Sequence, residues 1–405
     1  MYQRQAQNKL LVFNAQVHQA ILQVVLSHLP LGIAGRDLDD AKLWEILCHA
    51  AVKQSFIETS CRALDAAPSG NTVRAHLTDA LGEDEAALAQ LEERLNRALQ
   101  AQLPAGVRRK LAARAWEAAG DWVDIPYHGQ VADDDETVRP SQPKAGTTHF
   151  HAYASLAILR KGRRFTVALT LVRKGETMDA VVARLLERAR QLGARFKCTY
   201  WDKAFGAVGV LRYLRAHRVP YVIALAQRGG AHGIKRLCVG RCARSAHYTF
   251  NASKQPYRTQ VVIACHYAGR ASKRRPKKKK RGVKYYAYAV YRVPGRSPQA
   301  ISAAYRRRFG IESGYRQLHQ VRARTCSRHS GLRLLLIGLA LLLVNLYVLL
   351  RACWTQLTCY GGRVQRHRLT LEAVASALQA EIQRLLGFAP LFHCRTRASG
   401  VLSIS

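Results

Sequence analysis

The chain has 405 residues, 48% of them hydrophobic, enough to fill two or three domains with a large core. Its 64 Lys and Arg against 26 Asp and Glu leave a net charge of +38. Solubility alone does not call for that excess, which implies a polyanionic partner, either nucleic acid or an anionic membrane surface. The ten cysteines are scattered without a CxxC pair, and the opening MYQRQAQNKLLVF carries no apolar h-region before a small-residue cleavage site. Reduced thiols in a cytoplasmic protein are the economical reading. Cys238-x3-Cys242 with His247 nearby lacks the second ligand pair of a zinc site, so these read as ordinary strand or loop cysteines.

Residues 1–108 read as an all-α region. KLLVFNAQVHQAILQVVLSHL and DLDDAKLWEILCHAAVKQSF are apolar at helical spacing, the second from an acidic, capping-type start. The cluster Ala66-Ala67-Pro68-Ser69-Gly70 makes a turn. Asn71 or Thr72 can then cap a short helix with Val73 and Leu77 inward and Arg74 and His76 outward. The pattern suits a helix-turn-helix DNA reader and equally an ordinary helical hairpin. EDEAALAQLEERLNRALQAQL is an acidic amphipathic helix whose charge suits a solvated face.

From about 117 the period changes, and 109–355 reads as an α/β domain. A short strand holds Trp122, Val123 and Ile125; THFHAYASLAIL and RRFTVALTLVRKG read as a hairpin; a helix over 177–193 follows. RFKCTYWDKAF is a strand ending at Asp202, GAVGVLRYLRAHR a helix and VPYVIALAQRGG another strand. The first three strands suit an antiparallel meander, and the helical crossovers suit parallel strands. Residues 229–298 break the alternation with short β-type runs around ASKRRPKKKKRG, and form a β-rich basic insertion. The lysine run reads as a solvated loop tip and, between Tyr-rich strands, as a basic hairpin lying on phosphates. QAISAAYRRRFGIESGYRQLHQ is helical, and LRLLLIGLALLLVNLYVLL at 332–350 reads as a buried central helix, its length also approaching that of a bilayer span. The tail, 356–405, carries a helix with Leu371, Val374, Leu378, Ile382 and Leu385 on one face, for packing or for a partner.

Between Asp202 and Glu312 there is no other acidic residue, while residues 203–311 hold 26 Lys and Arg. A lone carboxylate at the end of such a stretch suits a divalent metal among nucleic-acid phosphates. Phosphoryl transfer on DNA with Mg²⁺ needs two or three carboxylates at one point, on the ends of core elements. The candidates are Asp124, ending the first strand, Asp202, ending the fourth, and Glu312, mid-helix. Asp121 and the run Asp133-Asp134-Asp135-Glu136 compete with Asp124, but the run lies in a polar loop and Asp121 precedes the strand's core residues. Tyr305, Arg308, Glu312 and His319 share one helical face with Arg316, and a face of that composition is not a core face. The alternative is a surface ladder of Arg308, Glu312 and Arg316.

Tyr-x2-Arg-x3-Glu at Tyr305, Arg308 and Glu312, within YRRRFGIESGYRQL, resembles the signature of the DDE transposases of bacterial insertion sequences. WDKAFGAVGVLRYLRAHRVPYVIAL resembles the block around that family's second Asp, with Phe three residues after it, and VDIPYHG the block around the first. The run 332–350 is similar to the helix that follows the catalytic Glu, and PSGNTVRAHL is a weaker echo. The resemblance covers roughly 117 to 355. It implies an RNase H-like core interrupted by the β-rich insertion, with Asp124, Asp202 and Glu312 binding two Mg²⁺ or Mn²⁺ ions. DNA contacts are expected from Tyr305, Arg308, Arg316, His319, Lys203, Arg74 and the run Lys277, Lys278, Lys279 and Lys280. His319 stands where the family usually has Lys, which leaves that phosphate contact to Arg316 or Arg322, or lowers activity. The implied protein is a transposase that binds terminal inverted repeats of double-stranded DNA as a homodimer, cleaves there and joins the 3′ ends to target DNA, in the bacterial cytoplasm at the nucleoid and with no membrane partner. The alternatives are an RNase H-like nuclease without strand transfer, a catalytically inactive transposase-derived DNA-binding protein, and a membrane protein resting on 332–350 alone.

Overall fold

The computed structural model describes residues 2–132, 135–160, 163–228, 233–250, 256–267, 283–293, 296–307, 317–353, 359–360, 363–364 and 369–389. Two compact units result: residues 1–91, 318–347 and 356–405 in one, residues 92–317 and 348–355 in the other.

The first unit contains α1 (Tyr2–His28), α2 (Asp40–Val52), α3 (Ile57–Ala63), α4 (Gly70–Ala80), most of α10 (Ser330–Cys353), and α11 (Leu371–Leu386). Asp39 caps α2 by accepting the Lys42 N–H, and the neighbouring Asp40 carboxylate gathers the N–H groups of Leu31, Gly32 and Ile33 at 2.8–3.2 Å. The helix α4 starts two to three residues earlier than the sequence suggests. Ser69, rather than Asn71 or Thr72, is its cap, with Oγ accepting the Thr72 N–H at 3.1 Å. A Cβ on Gly70 would lie 2.7 Å from the Glu58 Cα, so α3 and α4 meet backbone to backbone there. Val73 and Leu77 point inward and are fully buried; Arg74 and His76 are exposed.

The tail helix α11 packs against α1 and α2 through Leu371, Val374, Leu378 and Ile382. In its last turn Leu386, not the expected Leu385, is buried. Leu385 is 44% exposed, because the chain there turns to hydrogen-bond the backbone of Asp65 and Ala66 and leaves the helix through Gly387 at φ 74°. The most apolar stretch of α10, with mean hydropathy 2.4, is long and apolar enough to cross a bilayer and is 89% buried within the protein. Its interrupting Arg333 donates from Nε to the Ser327 carbonyl at 2.7 Å.

The second unit is a mixed α/β structure on one nine-stranded sheet. Its elements run from the end of α5 (Glu85–Ala101) and α6 (Ala105–Arg108) through β1 (Ala115–Tyr127), β2 (Arg139–Lys144), β3 (Thr147–Arg160), β4 (Arg163–Val172), α7 (Met178–Gln191), β5 (Arg195–Trp201), α8 (Val208–Ala216), β6 (Tyr221–Leu225), β7 (Arg244–Phe250), β8 (Tyr257–Tyr267), β9 (Val283–Tyr291) and α9 (Pro298–Arg307). Across the sheet the order is β4-β3-β1-β5-β6-β9-β8-β7, with β2 on the β3 edge beyond β4. The strands β1, β3 and β4 form an antiparallel meander, and β5 and β6 run parallel to β1. The strand β2 has no counterpart in the sequence reading. It is a hairpin arm turned by Ala145 and Gly146, both at positive φ. The β-type runs of the insertion become β7, β8 and β9, which continue the central sheet antiparallel from β6. On one face α7 and α8 bury Val181, Leu185, Leu211 and Leu214; on the other, α9 buries Ile301, Ala304 and Tyr305 against Tyr200, Val222, Val262 and Tyr288.

Two contacts fix this layout. Gly120 of β1 lies opposite Trp201 of β5, and a Cβ on Gly120 would sit 2.1 Å from two carbons of the Trp201 indole. The absence of a side chain lets the indole lie on the β1 backbone. The ring is fully buried, and its Nε1–H donates to Thr199 Oγ1 at 2.9 Å. At the sheet's other end, α5 seals the edge of β4. Asn96 accepts the Leu169 N–H (2.7 Å) and donates to the Leu169 carbonyl (2.9 Å). Glu92 accepts the Leu171 N–H (2.8 Å), and Gln100 donates to the Val167 carbonyl (3.2 Å). Four helical residues advance about 6 Å and two strand residues about 6.6 Å, so positions 92, 96 and 100 fall opposite 171, 169 and 167. The expected solvated face of this helix is therefore buried at Glu92 and Asn96, 7% and 2% exposed, where polar side chains stand in for a neighbouring strand.

Asn96→Ala is expected to lower unfolding stability by roughly 1–3 kcal/mol for each Leu169 group left unpaired, as read by chemical denaturation, with Arg97→Ala on the exposed side of the helix near neutral. Gly120→Ala is expected to lower stability by at least about 1–3 kcal/mol, the usual range for overpacking, because the hydrogen-bonded indole has nowhere to move; a thermal midpoint equal to wild type would contradict the close approach.

Candidate active site

At the carboxyl ends of β1 and β5, one cleft of about 1710 Å³ is lined by both Asp124 and Asp202. Asp202 follows directly on β5 and caps a single 3-10 turn, Lys203–Phe205, accepting the Lys203 N–H. The turn drives Phe205 into the core against Trp201, with ring centroids 5.0 Å apart, and edge-on to Trp122 at 6.1 Å. This is the physical reason for a Phe three residues after the Asp: it anchors the turn that presents the carboxylate.

Asp124 lies within β1, three residues before its end at Tyr127, rather than at the end as expected. Gly120, Trp122 and Asp124 alternate onto the same face of the strand. Trp122 Nε1–H donates to Asp124 Oδ1 at 2.7 Å, and the guanidinium of Arg139 stands 4.9 Å over the Trp122 ring. Asp121 points to the opposite face. It is 6% exposed, its Oδ1 accepts the Trp122 backbone N–H, and it takes no part in the cleft. Asp133 and Asp134 lie outside the described residues. Asp135 holds its own turn by accepting the Thr137 N–H and hydroxyl and the Val138 N–H.

From the other face of the sheet, Tyr305 on α9 lines the cleft, and its hydroxyl donates to the Trp201 carbonyl at 3.2 Å, one residue before Asp202. It is 5% exposed and packs on Tyr288, so the expectation that this helix face avoids the core fails at Tyr305. The described part of α9 ends at Arg307; Arg308, Glu312 and Arg316 lie outside the described residues, as do Lys277, Lys278, Lys279 and Lys280. Lys203 is exposed at the cleft, His319 is exposed in the first unit, and Arg74 is exposed with an ion pair to Glu58 at 3.2 Å.

Among the described residues the cleft lining has five cationic side chains, Lys144, Lys203, Arg228, Lys284 and Arg306, and two acidic ones, Asp124 and Asp202. Tyr285, Tyr286 and Phe250 form an aromatic wall. No group of three metal-ligating side chains occurs among the described residues. The two aspartates nonetheless present hard oxygen donors, the chemistry that suits Mg²⁺ or Mn²⁺. The sequence reading missed Trp122, Gly120, Arg139 and the cleft cations other than Lys203. Trp122 and Gly120 were within reach, since a glycine inside a strand signals close approach and a residue two before Asp124 shares its face.

No curated protein matches the sequence. Over 93% of this chain and 79% of the other, the fold is similar to that of the piggyBac transposase, solved by cryo-EM as a synaptic complex with hairpin DNA, with a TM-score of 0.50 and 11% sequence identity. Residues 118–346 match the family described as transposase DDE domain. The matched region is more than half of the chain, begins in β1 and takes in both cleft aspartates and the position of Glu312, so the protein belongs to the transposase DDE domain family.

Proposed function

We propose that this transposase binds the terminal inverted repeats of a bacterial insertion sequence, cleaves the DNA there and joins the freed 3′ ends to target DNA. The observation that carries the reading is the presence of Asp124 and Asp202 on one cleft whose other charged walls are cationic. The strand order β4-β3-β1-β5-β6, antiparallel then parallel, supports an RNase H-like core with β7 to β9 as its insertion. Asp124 and Asp202 would hold divalent metal together with Glu312. A pair of Mg²⁺ or Mn²⁺ ions supplies charge neutralisation at the reacting phosphate and activates the attacking hydroxyl.

The geometry supports a part for the protein's own residues. Trp201 and Phe205 hold the Asp202 turn rigid, and Trp122 holds Asp124. Lys144, Lys203, Lys284 and Arg306 offer phosphate contacts that position the strand by charge, without reading sequence. Exposed Arg74 and His76 on α4, with the α3–turn–α4 geometry, support end recognition by the helical region, and Lys277 to Lys280 are assigned further phosphate contacts. Tyr305 serves by supporting the backbone at Trp201, and phosphate contact falls to Arg308, Arg316 and His319. We place the protein at the bacterial nucleoid, acting as a homodimer that bridges two ends.

A strand-joining assay with Mg²⁺, on DNA flanking the gene, tests this reading. Asp124→Asn, Asp202→Asn and Glu312→Gln are each expected to lower joining by about 10³-fold or more while retaining binding of the same DNA. Joining at the wild-type rate by any of the three would remove that residue from the site. Cleavage without joined product in the wild type would make the protein a nuclease instead.

A further inference from the structure

We infer that Trp122 is a positioning residue that fixes one oxygen of Asp124 and so sets how this carboxylate binds metal; the inference rests on Asp124 being a metal ligand. Trp122 and Asp124 stand two residues apart on the same strand face, and the indole Nε1–H reaches Asp124 Oδ1 at 2.7 Å. A short hydrogen bond to an ionised acceptor is among the stronger ones and is directional. It occupies Oδ1 in one direction and takes no part of Oδ2, on a residue that lines the cleft.

The donor itself is held. Phe205 meets the indole edge-to-face with rings at 76°, and the Arg139 guanidinium lies over the ring at 4.9 Å. A cation over the indole face is attracted to the ring and draws electron density from it, which makes the N–H a better donor. Arg139 sits on β2, paired with Phe150 of β3, so the relay from Arg139 through Trp122 to Asp124 is built on three neighbouring strands. A phenylalanine at 122 would keep an aromatic ring against Phe205 and Arg139. What the indole adds is the hydrogen bond.

The chemical consequence is selectivity. A carboxylate with one oxygen held binds through the other, which suits the small octahedral Mg²⁺ or Mn²⁺. Ca²⁺ accepts bidentate carboxylates and higher coordination. Releasing Asp124 therefore weakens Mn²⁺ and favours Ca²⁺ in relative terms.

The test is titration of the full-length protein with Mn²⁺ in the absence of DNA, with free Mn²⁺ followed by electron paramagnetic resonance, then competition with Ca²⁺. Trp122→Phe is expected to weaken Mn²⁺ binding about tenfold, the scale of losing an outer hydrogen-bond partner, and to narrow the preference over Ca²⁺, with the thermal midpoint in EDTA unchanged. Arg139→Gln, which leaves the indole in place, is expected to weaken Mn²⁺ in the same direction by less, and it decides the matter should Trp122→Phe fail to fold. Wild-type affinity in the foldable variants, alongside weakened binding in Asp124→Asn, overturns the positioning role and leaves the metal site standing. Failure of the wild-type protein to bind Mn²⁺, or wild-type binding by Asp124→Asn, overturns both.

Discussion

The sheet unit of this protein depends on a side chain that is missing. Because Gly120 has no Cβ, the Trp201 indole can lie on the β1 backbone, and that contact sets the register of β5 against β1. The register brings the carboxyl ends of both strands to one cleft. Phe205 then closes the turn after Asp202 by packing on Trp201 and Trp122, and Trp122 in turn binds Asp124. The two acids are thus held by one connected set of aromatic rings, which keeps a pair of like charges facing the same space.

Charge is arranged around that pair by subtraction. Residues 203–311 contain no Asp or Glu, so every charged side chain that the insertion strands and α9 bring to the cleft is Lys or Arg. Among the described residues of the cleft lining, the two aspartates therefore face only positive charge. The aromatic wall from Tyr285 and Tyr286 adds surface that carries no charge of either sign.

The sheet's two ends are finished in different ways. Beyond β6, three insertion strands extend it. At β4, the helix α5 supplies side-chain amides and a carboxylate at a four-residue spacing that matches alternate strand positions. Glu92 also takes a hydrogen bond from Thr170 and an ion pair with Arg188, so a helix whose composition reads as solvent-facing is a structural partner of the sheet. Composition reports how many polar groups a helix carries; it is silent on whether their partner is water or an unpaired strand.

Much of the architecture was legible in the chain itself. Period-two and period-3.6 patterns located nearly every strand and helix, and the isolated acids in a basic stretch singled out Asp202 and Glu312, because local geometry and net charge are properties of neighbouring residues. The strand β2, the burial of Leu386 in place of Leu385, the Ser69 cap and the buried Tyr305 were not legible, since each is set by a contact with residues distant in sequence. The same holds at the site. The sequence by itself determined which residue types are candidates for the chemistry and in what order they stand. Only the tertiary structure decided that Asp121 turns away while Asp124 shares a cleft with Asp202 and takes its hydrogen bond from Trp122, because the face of a strand, its register and the partner of a side chain exist only once β1 and β5 lie side by side.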